Sequence, residues 1–209
     1  ATAITEKHLG AQYDIHGGAR DLIFPHHEAE IAQMEGISGK KPLVRYWMHT
    51  GFLTIQGEKM SKSLGNFITI RDFLERHSAR LLRFFVLKTH YRSPIDYSEK
   101  LLEQTEAELR RIDEFVEKLG QMTNEGHRSL VISYKLFFQA LEDDFNTPKA
   151  IAVIFDLVRK INPLLAQQKL TRKNAIETLA FLRKADEIFG FIFAKQKISA
   201  VPNEIKKLL

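Results

Sequence analysis

"YDIHGGARDLIFPHHEAEIAQMEG", residues 13–36, is the stretch on which the reading of the fold turns. "YDIHGG" reads as a short strand ending in a Gly-Gly turn. Pro25 suits the first turn of a helix, where its missing N–H costs nothing. Ile31, Ala32 and Met34 continue that helix, and Gly36 stops it. A strand that feeds a short helix points to an α/β region. Inside the stretch, "FPHHEAE" puts two histidines and two glutamates within five positions of a chain that has no cysteine. The residues alone leave three readings open: a metal site, a proton-transfer site, or a decorated helix start.

Working outward, "VRYWMHTGFLTI" is β-branched and aromatic and supplies one or two strands. "QGEKMSKSLGN" is a polar loop bounded by glycine. "TIRDFLERH" opens a helix with Thr69 as N-cap and Asp72 in a capping-box-like position. "ARLLRFFVLKTHY" is a second helix, broken at Ser93-Pro94. Composition shifts near residue 95. Before it lie most of the glycines and the only Trp, and five of the eight histidines fall within the first fifty residues. After it come long helical periodicities. In "SEKLLEQTEAELRRIDEFVEKLG", Leu101, Leu102, Ala107, Leu109, Ile112, Phe115, Val116 and Leu119 form an apolar stripe, and Gly120 sits where a C′ glycine belongs. "LVISYKLFFQALEDD" gives the next helix. "NTPKAIAVIFDLVRKIN" opens with Thr147 as N-cap and Pro148 at the first helical position. "TRKNAIETLAFLRKADEIFG" ends at Gly190. Four such helices joined by short loops imply an antiparallel bundle.

The 209 residues suit one large or two small domains. A content of 44% hydrophobic and 27% charged residues fits a soluble globular chain. No apolar run reaches the ~20 residues that span a bilayer, so no membrane role is expected. The start, "ATAITEKHLG", has no signal-peptide pattern and no initiator Met, and reads as a cut point. The absence of cysteine excludes a disulfide scaffold and a thiolate metal site within the chain and makes the cytoplasm the default compartment. A net charge of +5 permits polyanion binding without requiring it.

The strongest chemical motif is "GEKMSKSLGN", residues 57–66. Lys59 and Lys62 can each set an ammonium charge on phosphate oxygens. Ser61 and Ser63 add hydroxyl donors, and backbone N–H groups can form an anion nest. Phosphate chemistry needs such compensation where negative charge develops. A generic Lys/Ser loop is far more often a solvated one.

Here the five residues Lys59-Met60-Ser61-Lys62-Ser63 match the second signature of class I aminoacyl-tRNA synthetases. The first signature, His-x-Gly-His, does not occur in the chain. "DIHGGARDLIFPHHEAEIAQ", "YWMHTGFLTIQGEKMSKSLGNFITIRD" and "LEDDFNTPKAIAVIFDLVRKIN" together resemble cysteinyl-tRNA synthetases, with an archaeal cast, from residue 1 to about residue 190. The resemblance implies a chain corresponding to the later part of such an enzyme and inactive alone. Residues 1–66 would be the second half of a Rossmann-like catalytic domain with the lysine-rich loop. Residues 67–97 would be a stem-contact helical region, and 98–209 an α-helical bundle of the anticodon-binding type.

The same resemblance implies the chemistry. The substrates would be ATP with Mg2+, L-cysteine and tRNA(Cys), in an enzyme monomeric when complete. A Zn2+ would read the substrate thiol, and two of its ligands map onto His26 and Glu30, four apart and so on one helical face. The position of a cysteine ligand is held by Ala1, which predicts an incomplete site of low affinity. Lys59 and Lys62 would be catalytic, with Met60, Ser61, Ser63, Gly18 and His49 also at the ATP. His16 would lie at the floor of the amino-acid pocket, and Asp21 would face the substrate ammonium or ribose. Gly17 and Gly18 would let a nucleotide approach the backbone. Trp47, His27 and Glu28 read as structural. Arg110, Arg111, Arg159, Lys160, Arg172 and Lys173 are candidates for tRNA phosphates, although a solvated helix face explains them as well. Two other functions stay in view: a non-catalytic tRNA-binding module, and a cysteine ligase with an amino-sugar acceptor.

Overall fold

The structure, a computed structural model, describes residues 1–55, 57–60, 67–123, 126–127 and 134–193. The predicted ATP contacts Ser61, Lys62 and Ser63 lie outside the described residues, as do residues 130–133 of the predicted third-last helix and the tail from 194. The chain divides into two compact units: residues 1–69 with 89–99, and residues 70–88 with 100–209.

The first unit opens with a helix absent from the sequence expectation, α1 (Thr2–Leu9), whose four-residue periodicity is weak and which buries no residue. Strand β1 (Tyr13–Ala19) runs straight through Gly17 and Gly18, so the expected Gly-Gly turn is instead strand. The turn comes later, as a 3-10 segment at Arg20–Leu22. Pro25 does not start a regular helix. It follows Phe24, which keeps an extended backbone, in an irregular helical entry at Ile23–His27. Helix α2 (Glu28–Ser38) then passes through Gly36 and ends at Gly39, whose left-handed φ of 67° closes the last turn. Strand β2 (Val44–Thr50) pairs parallel to β1, with His16 beside Trp47 and Gly18 beside His49. This β1–α2–β2 unit is the α/β element expected. Its core is Met34, Leu43 and Val44, with Tyr13, Ile31 and Trp47 packed against them. The adjacent pair Ile15 and Tyr46 faces outward, 56% and 68% exposed, so one sheet face displays apolar surface.

A second sheet has the order β4–β3–β5. Strand β3 (Leu53–Ile55) pairs antiparallel with β4 (Glu58–Lys59) and parallel with β5 (Ile95–Tyr97). The lysine-rich stretch therefore begins as a strand, not as a loop. Strand β5 was hidden in the sequence because three residues carry too short a pattern to read.

In the second unit, α3 (Ile70–Arg76) and α4 (Ala79–Leu87) form, with the Ser78 hydroxyl accepting the Leu81 N–H, but α4 stops at Leu87, short of the expected run through Tyr91. The long helices are α5 (Glu99–Gly120), α6 (Tyr134–Glu142), α7 (Thr147–Ala166) and α8 (Arg172–Phe189). Their core is aromatic. Phe84, Phe115, Phe137, Phe181, Phe189 and Phe191 are fully buried, and Phe137 meets Phe181 and Phe189 edge-on at 5.5 and 5.4 Å. The stripe of α5 differs in one place from its expectation. Thr105 is buried in it, and its hydroxyl donates to the Leu101 carbonyl at 2.7 Å, while Leu101 is 40% exposed. Among the described residues no helix is long and apolar enough to cross a membrane.

Candidate functional site

Parallel pairing of β1 and β2 puts His16, Gly18, Trp47 and His49 on one sheet face, because residues two apart along a strand share a face. The entry into α2 brings His26 and His27 over that face, and the first turn of α2 adds Glu30. The rings nest closely. His16 and His27 are 4.8 Å apart between centroids, each is 5.0 Å from Trp47, and Trp47 stacks on His49 at 5.9 Å. Trp47 also packs on the apolar core, in line with its structural reading.

Glu30 lies at the centre. It is 6% exposed, with Oε1 3.4 Å from His26 Nε2 and Oε2 3.4 Å from His16 Nε2. Oε2 is within ion-pairing distance of that imidazole, yet it accepts no hydrogen bond among the described residues. A buried carboxylate oxygen left so is costly unless a cation or donor meets it. The other nitrogens of two rings are already tied. His16 Nδ1 is 2.5 Å from the Tyr13 hydroxyl, and His27 Nδ1 is 2.9 Å from His49 Nε2. Burial first, then the neighbouring His16 and His49 rings, push the His27 pKa down, so this ring is neutral at physiological pH. Burial and the Glu30 charge push the Tyr13 phenol up.

These donors fit a divalent cation. One ring nitrogen of His16, one of His27 and a Glu30 oxygen lie within 4.8 Å of one another, and His26 reaches the other Glu30 oxygen. Imidazole and carboxylate are ordinary zinc ligands, and two histidines with one glutamate make a known open zinc set. The set has no thiolate, and Ala1 offers no side-chain donor.

The structure thus brings together His16, His26, Glu30 and His49. It adds His27, which the sequence reading treated as structural; it is 3% exposed and touches three of these rings. Gly18 makes room for this ring. A Cβ there would lie 2.8 Å from His27 Cε1 and 3.0 Å from Nε2, so the open Cα of Gly18 is filled by His27. Asp21 is exposed on the 3-10 turn. Lys59 belongs to the other sheet, opposite Thr54, and Met60 follows it, its N–H donating to the Leu53 carbonyl at 3.2 Å.

The chain is 45% identical over 199 residues to the cysteine–tRNA ligase of Carboxydothermus hydrogenoformans, covering 92% of this chain and 43% of that protein. It is 46% identical over 204 residues to that of Geobacter sulfurreducens, covering 91% and 41%. It therefore spans less than half the length of these curated relatives. A solved structure, the ternary complex of Agrobacterium radiobacter K84 LeuRS with tRNA and LeuAMS, shares the fold with a TM-score of 0.65 at 16% identity, over 86% of this chain and 26% of that one. The family model of the DALR domain matches residues 136–194. The model of the tRNA synthetases class I (C) catalytic domain matches residues 1–107, just over half of the 209, and the chain belongs to that family.

Proposed function

We propose that this chain serves the ATP-dependent activation of L-cysteine and its transfer to tRNA(Cys). The substrate carboxylate attacks the α-phosphate of ATP, pyrophosphate leaves, and the terminal ribose hydroxyl of the tRNA then takes the acyl group from the adenylate, releasing AMP. Lys59 and Lys62 compensate charge on the phosphates as the bond to pyrophosphate breaks. Mg2+ accompanies the nucleotide. His16 forms the floor of the amino-acid pocket, fixed by Tyr13 on one side and Trp47 on the other. Asp21 faces the substrate ammonium, and Gly18 and His49 belong to the ATP side.

Zinc, when bound, supplies a soft Lewis acid that prefers the cysteine thiolate to a serine hydroxyl. Glu30 and His26 would hold it, with His16 and His27 within reach of the same carboxylate. The observation that carries the reading is the orphaned, buried Glu30 oxygen among imidazoles, in a chain of this family. The names of the relatives favour tRNA over an amino sugar as acceptor.

The test is amino-acid-dependent ATP–pyrophosphate exchange by the product of the reading frame that encodes this chain. Exchange with cysteine and none with serine is expected. No exchange with any amino acid overturns the reading in favour of a tRNA-binding module. Lys62→Ala should slow adenylate formation far more than it weakens cysteine binding, and equal losses would remove the lysine from that role.

A further inference from the structure

One carboxylate holds the hairpin that leads into the lysine-rich signature. Asp96, the middle residue of β5, accepts the Thr54 hydroxyl at 2.8 Å and the Gly57 N–H at 2.9 Å, both on Oδ1. Thr54 is the ladder neighbour of Asp96 in β3 and also the ladder neighbour of Lys59 in β4. Gly57 lies in the turn between β3 and β4, at a φ of 81° that L side chains rarely adopt. A single side chain therefore grips the strand that pairs with Lys59 and the turn that leads into it.

The backbone around it is closed to match. The Gly51 N–H donates to the Tyr91 carbonyl at 2.7 Å, and the Ile95 N–H to the Phe52 carbonyl at 2.8 Å. A Cβ on Gly51 would fall 2.2 Å from the Ser93 carbonyl oxygen. The segment 91–96 is thus seated against both ends of β3. Its ladder bonds need no carboxylate, and Asp is disfavoured in strands. The Gly57 N–H, and then the Thr54 hydroxyl, hold the Asp96 pKa below the usual carboxylate value, so it is ionised at neutral pH.

We infer that Asp96 is a positioning residue for Lys59: it fixes the β3–β4 hairpin, and so the point from which that lysine meets the nucleotide, without touching substrate itself. The inference rests on the activity proposed above.

The test compares Asp96→Ala, Asp96→Asn, Thr54→Val and Lys59→Ala in the product of the whole reading frame. Asp96→Ala should lower kcat for cysteine-dependent ATP–pyrophosphate exchange by roughly ten- to a hundredfold, as small displacements of a charge-stabilising group do. The KM for cysteine should stay within about twofold, because the loss falls on the transition state. Asp96→Asn keeps a carbonyl acceptor and should recover much of the rate. Amide hydrogen exchange should quicken over residues 53–60 in Asp96→Ala and stay unchanged over 13–19. If Asp96→Ala does not fold, Thr54→Val reads the same split. A lowered rate in Lys59→Ala beside unchanged rates in the Asp96 and Thr54 variants overturns the positioning role and leaves the activity standing. Full exchange by Lys59→Ala overturns the positioning role while leaving the activity standing, and no exchange by the unaltered protein overturns both together.

Discussion

His27 Nδ1 and His49 Nε2 lie 2.9 Å apart, joining the entry of α2 to β2 through two imidazoles that share one proton. One ring must donate and the other accept, so while His27 is neutral the bond couples the tautomers of the two rings. With His16 held by Tyr13, the rings around Glu30 are oriented before any ligand arrives.

That orientation depends on Gly18. A methyl group there would sit 2.8 Å from His27 Cε1 and 3.0 Å from Leu22 Cδ1. Gly18→Ala should push His27 off its bond to His49 and cost about 1–3 kcal/mol, as overpacking does. At Gly17 the nearest atom would be 3.8 Å away, an ordinary contact, so Gly17→Ala should change stability by less than about 1 kcal/mol. Thermal unfolding of the two variants decides between a seat for His27 and a general need for glycine in β1.

The buried Glu30 carboxylate makes a prediction about metal. Zn2+ should raise the unfolding temperature of the chain, and Glu30→Gln should abolish the rise. A hundredfold excess over Kd stabilises by about 2.7 kcal/mol, which is readily seen. Without a thiolate the affinity should be modest, and acid should weaken it, because protons compete with a metal for its ligands. Comparing His26→Ala with His16→Ala and His27→Ala then shows which rings serve. Unchanged zinc response in Glu30→Gln would mean the carboxylate is paired in some other way.

In the bundle, Arg80 of α4 clamps the segment that follows α8. Its guanidinium meets both Asp113 oxygens at 3.0 and 2.6 Å and the Ile192 carbonyl at 2.9 Å, and its Nε–H donates to the Phe191 carbonyl. The Arg80 side chain is 17% exposed but that of Asp113 is 42%, so solvent screens part of the ion pair. Arg80→Lys keeps the charge and loses the planar fork. It should cost about 1–3 kcal/mol in urea unfolding, chiefly from the backbone carbonyls left without a donor. A cost near zero would mean that Phe191 and Ile192 are held by burial alone.

Asp96 gives a pH dependence with a definite sign. Its folded pKa is lowered, so the contribution of its two hydrogen bonds is complete above the ordinary carboxylate value and is lost as pH falls through the lower folded value. The Gly57 amide proton resonance should therefore titrate at a pH below the ordinary carboxylate value of 3.8. In Asp96→Asn it should not titrate in that range. A Gly57 resonance that titrates at or above the ordinary value would show that the bond does not persist in solution.

How much of this was legible in the sequence depended on the length of each pattern. The four long helices announce themselves because an apolar stripe over many turns survives a local exception such as Thr105. The β1–α2–β2 unit was legible in kind, but its boundaries were not. Gly17 and Gly18 read as a turn, whereas they are strand positions kept small so that His27 can pack on one of them. Pro25 read as a regular helix start, whereas Phe24 before it stays extended. His26 and Glu30 were paired by their spacing of four. His27 was not, because its partners His16 and His49 are distant in sequence and meet it only once β1 and β2 pair. Asp96 was hidden for the same reason: its partners Thr54 and Gly57 come from another part of the chain.

The start of α7 shows the same limit at the scale of one residue and carries the last prediction. Thr147 before Pro148 reads as the N-cap. In the structure the cap is one residue earlier, where the Asn146 side chain accepts the Lys149 N–H at 3.1 Å. Asp144 and Phe145 turn the chain into it, each at a left-handed φ of 52°. With Asn146 as cap, Thr147 and Pro148 both fall inside the first turn, where a proline loses no hydrogen bond. Asn146→Ala should therefore cost about 1 kcal/mol, as loss of a cap usually does. Thr147→Ala should cost a few tenths at most, because alanine is a better helix former than threonine. Thr171 serves as the internal standard: its hydroxyl oxygen accepts the Asn174 N–H at 3.2 Å at the start of α8, and Thr171→Ala should cost about as much as Asn146→Ala. Urea unfolding of the three variants makes the comparison, and a larger loss in Thr147→Ala than in Asn146→Ala would return the cap to the residue the sequence first suggests.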